Sequence, residues 1–153
     1  MIIENKMIIE IVFKLATVLL LFASSIEDFK NKKISIVFPV AELVLSSAFI
    51  VYSHMVLNIA ITECMASFLP GIFMIMISLI SGNELGLGDG LMTLAIGPVL
   101  GFNSLSIAIM LSFLFSSFVS IVLLLLKKVS VKSRLAFLPF FTMGVGVMCF
   151  ATV

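Results

Sequence analysis

The chain is 153 residues long, 62% hydrophobic and 11% charged, with a formal net charge of +1. A soluble domain carries about a quarter charged residues, so this chain lacks the polar groups to cover a water-facing surface and must use lipid as its solvent. That excludes a soluble enzyme, and the balanced charge offers no basic surface for nucleic acid. The expected fold class is all-α: a polytopic membrane protein with small loops and a single transmembrane domain over residues 1–153.

A span needs about 20 residues to cross a ~30 Å hydrocarbon core. Apolar runs fall at residues 8–26, 36–52, 56–80, 91–102, 105–126 and 135–153. The first could pass for a secretory signal. However, Glu4 and Glu10 offset Lys6 and Lys14, and Ala23, Ser24 and Ser25 lead straight into Glu27 and Asp28. It therefore lacks both the basic start and the cleavage site of a signal peptide and is expected to be a membrane helix. Glu42 and Glu63 fall in the second and third runs. Acids there are costly and are expected to face a bundle interior or a polar cavity. His54 is expected in a short, solvated outer loop. Cys64 and Cys149 lie in apolar runs without Cys-x-x-Cys spacing, which predicts buried thiols with neither disulfide nor metal.

The fourth run is anomalous. Its dozen residues rise only about 18 Å as a helix, and Gly97-Pro98 interrupts it. Charge decides whether it crosses. Seven of the nine basic residues sit in two loops, Lys30, Lys32 and Lys33 after the first run and Lys127, Lys128, Lys132 and Arg134 after the fifth. The positive-inside rule puts both loops in the cytoplasm, which requires an even number of crossings between them. The short segment must then cross. The expectation is a six-helix bundle with a short fourth helix and both termini outside.

This topology brings two acidic motifs to one membrane face: Asp28, in Ser25-Ile26-Glu27-Asp28-Phe29-Lys30, and Asp89, in Gly86-Leu87-Gly88-Asp89-Gly90. Each carboxylate taken singly has an ordinary explanation. Asp28 could balance the lysines that anchor a helix end, and Asp89 could cap the next helix. The glycines Gly86, Gly88 and Gly90 permit unusual backbone angles or close approach to a substrate or helix. A short fourth helix would recess Asp89 below the surface. Together the pair suits aspartyl chemistry, in which one carboxylate activates water while a protonated partner polarises a carbonyl.

These segments resemble the type IV prepilin peptidases, intramembrane aspartyl proteases of the GxGD class. Asp28 followed six residues later by Ile34 is similar to that family's first motif, and Gly86-Leu87-Gly88-Asp89 to its second. Gly97 and Gly101 continue the glycine pattern, and Leu138-Pro139-Phe140 is similar to the late Pro-Phe segment. Two positions depart from the pattern. Leu91 stands where a lysine is common, and Ile34-Ser35-Ile36 replaces the usual Ile-Pro-Asn. Nothing in the chain matches the Cys-x-x-Cys domain of larger members, so peptidase activity without N-methylation is expected.

The resemblance implies that Asp28 and Asp89 are the catalytic residues, supported by Gly86, Gly88, Gly90, Ile34 and Pro139, with no metal or other cofactor. It implies a prepilin or pilin-like substrate, cut at the cytoplasmic face of the cell membrane beside the lipid bilayer. Glu27, Glu84 and Leu91 are candidates for lining the substrate groove. Helix ends suggest that Asp28, at the negative end of the first span, holds the proton, while Asp89 before the fourth is the base. The oligomeric state is not readable from the sequence. The alternatives are a proton- or ion-coupled transporter using Glu42, Glu63 and the two Asp residues, or a weakened peptidase homologue acting as a pilus-assembly scaffold.

Overall fold

A computed structural model of the chain describes residues 2–31, 34–81, 86–126 and 136–151, with side chains from Lys6 onward. The described residues form helices and no strand: α1 (Ile2–Asn31), α2 (Val37–Val56), α3 (Ile61–Ala66), α4 (Leu69–Ile80), α5 (Leu87–Leu100), α6 (Phe102–Leu125) and α7 (Leu138–Ala151). Four stretches are long and apolar enough to cross a membrane: Lys6–Asn31, Val37–Val56, Ile61–Ile80 and Phe102–Leu125. The apolar helices Leu87–Leu100 and Leu138–Ala151 are shorter, at 14 residues each. Exposed apolar side chains cover the outside, among them Phe150, Ile80, Leu125 and Phe118. A surface of this kind suits lipid rather than water.

Several boundaries differ from the expected spans. α1 continues past Ile26 to Asn31, so Asp28 lies within the helix. The third span is broken at Ser67 and Phe68, where α3 ends and α4 begins with Pro70 in its first turn. Proline has no N–H to offer the Ala66 carbonyl, and the Ser67 hydroxyl donates to the Cys64 carbonyl while the Phe68 N–H turns to Met65. α5 starts at Leu87 rather than Leu91 and runs through Gly97-Pro98 to Leu100 without interruption. Gly101 then turns the chain directly into α6, with a φ of 78° that favours glycine.

α5 is the hub. Nine of its 14 residues are buried, against only Leu105, Ala108 and Ser112 in the 24 residues of α6. Such all-round burial is what an evenly apolar helix requires. α5 packs most closely on α4 and α2, and also meets α1 and α6. Glycine permits the closest of these approaches. A Cβ on Gly90 would come within 2.8 Å of Ile75 Cγ1, one on Gly71 would strike the Leu94 backbone, and one on Gly97 the Ser67 carbonyl oxygen. Small residues at a helix crossing are the usual means of tight packing in lipid. Around this hub Leu21, Met74, Met92, Ile96, Leu105, Leu138, Phe141 and Val145 form a continuous core.

Candidate active site

Asp28 sits in the last turn of α1 and is 6% exposed. Its Oδ2 accepts the backbone N–H of Leu138 at 3.3 Å. That donor belongs to the first residue of α7, whose opening N–H groups have no partner within their own helix. Pro139 is the next residue, and its missing N–H is harmless in a first turn. Pro139 therefore marks a helix start, and the start is aimed at Asp28.

Asp89 sits in the first turn of α5, after the N-cap Gly86, and is 7% exposed. The expected position in the preceding loop is thus corrected by one helical turn. Gly86 takes the extended conformation of an N-cap, and its N–H donates to the Asp89 carboxyl. This is the returning half of a capping box, with the acid at the third helical position. Asp89 Oδ1 is buried with no hydrogen-bond partner. The Thr93 hydroxyl donates to the Asp89 carbonyl at 2.7 Å, which fixes the same turn.

The structure brings these two carboxyls together. Asp28 is close enough to Asp89 for direct electrostatic interaction. Each accepts an N–H at a helix N-terminus, Asp28 from α7 and Asp89 from α5. Helix-end position therefore no longer separates them. The negative end of α1 by itself favours the proton on Asp28, and the N–H at the start of α7 opposes it.

The supporting residues have definite places. A Cβ on Gly88 would come within 2.7 Å of Ile34 Cδ1, so the two sequence motifs touch through Ile34 and Gly88. None of Gly86, Gly88 and Gly90 has a positive φ, so Gly88 and Gly90 serve close packing rather than an unusual turn. Glu27 is partly buried, and its Oε2 accepts the Ser35 N–H at 3.2 Å, which ties the turn after α1. Leu91 is 37% exposed beside the site. Glu84, Lys32, Lys33, Lys127, Lys128, Lys132 and Arg134 lie outside the described residues.

Among the described residues, the acids Glu10, Glu42 and Glu63 do not join the pair. Glu63 is exposed in the first turn of α3, not buried in the span. His54 is exposed in the last turn of α2, with Nδ1 3.3 Å from the Ile59 carbonyl. Glu10, Ser53, Glu63, Ser67 and Asn103 line a cavity of about 560 Å³ at the far end of α5, away from both aspartates. Glu42 is fully buried on α2 with neither carboxyl oxygen hydrogen-bonded. The sequence reading did not single out Leu138 as a donor, nor Thr17 and Ser46 on the inner faces of α1 and α2. The Pro139 signal for a helix start was the one pointer to the first.

Among the described residues no three His, Cys, Asp or Glu side chains group as a metal site. What the arrangement offers chemically is two nearly buried carboxyls within electrostatic range of each other, each oriented by a backbone N–H donor. Compared with protein-family models, with curated proteins and with solved structures, the chain matches none of them.

Proposed function

We propose that this protein is an intramembrane aspartyl endopeptidase that removes a short leader from a prepilin-like precursor. The observation that carries the reading is the pairing of Asp28 and Asp89, two nearly buried carboxyls held by the N-termini of α7 and α5. Two close carboxylates cannot both ionise readily, so they share one proton and titrate as a unit. The ionised member takes a proton from water as the water oxygen bonds to the scissile carbonyl carbon. The protonated member gives its proton to the carbonyl oxygen. Collapse of the tetrahedral gem-diol breaks the C–N bond. The leaving nitrogen takes the proton of the carboxyl that deprotonated water, while a diol hydroxyl gives its proton to the other carboxyl. The pair again holds one proton in its starting arrangement.

In this reading all six apolar stretches cross the cell membrane, with both termini outside. The aspartates face the cytoplasm, next to the basic loops. α5 and α7 each rise about 21 Å, so both crossings need a locally thinned or protein-lined place. Substrate would approach past exposed Leu91 and Leu87, with its apolar helix beside the bundle. Co-expression with a matched prepilin tests the proposal. A leader-dependent mobility shift that disappears in Asp28→Asn and in Asp89→Asn supports it, and an unshifted precursor across several matched substrates rejects it.

Buried Glu42 favours a second reading, a proton- or ion-coupled transporter in which the acids carry charge through the bundle. Proton uptake by proteoliposomes, lost in Glu42→Gln while leader cleavage is absent, would select that reading instead. A weakened homologue acting as a scaffold would show neither activity and still support pilus assembly.

A further inference from the structure

The two proposed catalytic helices, α1 and α5, share a neighbour in α2. In a bundle surrounded by lipid, α2 buries a polar stripe, with Glu42 fully and Ser46 almost fully inaccessible. The two residues are one helical turn apart, so they lie on one face. Their contacts diverge. The Ser46 hydroxyl donates to the Ala95 carbonyl of α5, and the Glu42 carboxyl lies beside the Thr17 hydroxyl of α1. In regular hydrogen-bond geometry neither the Glu42 carboxyl oxygens nor the Thr17 hydroxyl has a partner, so the two buried groups face each other without a formed bond. A polar side chain in this place is costly unless a polar neighbour relieves it, and Thr17 is such a neighbour for Glu42.

We propose that this turn of α2 is a strut that sets the separation of Asp28 and Asp89, with Glu42 and Ser46 as positioning residues. One end grips α5 about 9 Å along the helix from Asp89, and the other meets α1 about 16 Å from Asp28. α7 secures Asp28 from the other side through Leu138, and α7 packs on α1 and α6. A polar path from α1 to α5 therefore runs through α2, beside their direct contact. Leverage makes the contact matter: pivoting α1 by about 10° at Thr17 would carry Asp28 about 3 Å. Hydrolysis by a shared proton tolerates no such displacement.

The inference rests on the peptidase reading for its consequence, but its geometry is tested without cleavage. In full-length protein with Cys64→Ala and Cys149→Ala, Asp28→Cys and Asp89→Cys are paired and cross-linked with a short thiol-reactive linker in membranes. Glu42→Leu should slow cross-linking several-fold, Ser46→Ala should slow it less, and Glu42→Gln should leave it near the parent rate. In the otherwise unsubstituted protein, Glu42→Leu should lower kcat about tenfold or more with KM unchanged, and Glu42→Gln should retain most of it. Folded Glu42→Leu and Ser46→Ala proteins that cross-link at the parent rate overturn the strut, as does a parent pair that does not cross-link. Equal loss in Glu42→Gln and Glu42→Leu overturns the polar contact as its cause. If Glu42→Leu fails to fold, Ser46→Ala carries the comparison. Altered cross-linking without any leader cleavage by the unsubstituted protein keeps the strut and removes the peptidase reading.

Discussion

The backbone N–H of Leu138 donates to Asp28 Oδ2 at 3.3 Å, joining residues 110 positions apart. The bond gives the Asp28 side chain a structural duty besides any chemical one, and the two can be separated. Asp28→Asn keeps an oxygen acceptor for Leu138 and should fold with near-parental thermal stability while leader cleavage falls about 10²- to 10⁴-fold. Asp28→Ala leaves a buried N–H unsatisfied and should lose about 1–3 kcal/mol in addition. Thermal unfolding in detergent beside a cleavage assay checks both. Equal stability of the two variants would show that the Leu138 contact contributes nothing.

A shared proton imposes a bell-shaped pH–rate profile. At low pH both Asp28 and Asp89 hold protons and no base remains. At high pH both are ionised and no acid remains. Single-turnover leader cleavage across the pH range should rise and fall accordingly, with both limbs absent from Asp89→Asn because turnover is absent. A single sigmoid in the unsubstituted protein would mean that only one of the two carboxyls takes part.

The glycines should differ in their tolerance of a methyl group. Gly97→Ala drives Cβ into the Ser67 carbonyl oxygen and Gly90→Ala drives it against the Ile75 backbone, so each should destabilise the bundle by about 1–3 kcal/mol. Gly88→Ala meets the Ile34 side chain, Cδ1 at 2.7 Å and Cβ at 3.1 Å, and none of the nearest atoms is backbone, so it should be milder. Gly101→Ala meets nothing, but its φ of 78° with ψ of 161° is strained for any other residue; it should cost about 1–3 kcal/mol. Melting temperatures of the four variants give the order, and a Gly88→Ala protein less stable than Gly97→Ala would contradict the packing of α5 on α3 and α4.

Lys30 and Ala60 are predicted to lie on opposite sides of the membrane. Both are exposed near helix ends, at the close of α1 and in the turn between α2 and α3. A membrane-impermeant maleimide applied to intact cells should label Ala60→Cys and spare Lys30→Cys until the cells are opened, with Cys64 and Cys149 buried. Labelling of Lys30→Cys from outside would reverse the orientation and place the two aspartates at the outer face.

The amino-acid sequence alone determined that this chain lives in lipid, because so few charges cannot solvate a folded surface. It also located most helices, since hydropathy is a local property summed over a window. It brought Asp28 and Asp89 to attention through their positions at the ends of apolar runs, and Gly88 and Gly90 through their spacing. It misplaced the start of α5, because glycines read locally as loop while here they are helical and packed against Ile34 and Ile75. It also joined α3 and α4, because hydropathy does not register the break at Ser67. Only the tertiary structure decided that α7 presents its first N–H to Asp28, that the two carboxyls interact, and that α2 buries Glu42 while its Ser46 bonds the Ala95 carbonyl of α5. Those contacts depend on how helices far apart in the chain rotate and cross, and that rotation minimises the joint cost of exposed backbone, buried polar groups and imperfect packing over the whole bundle.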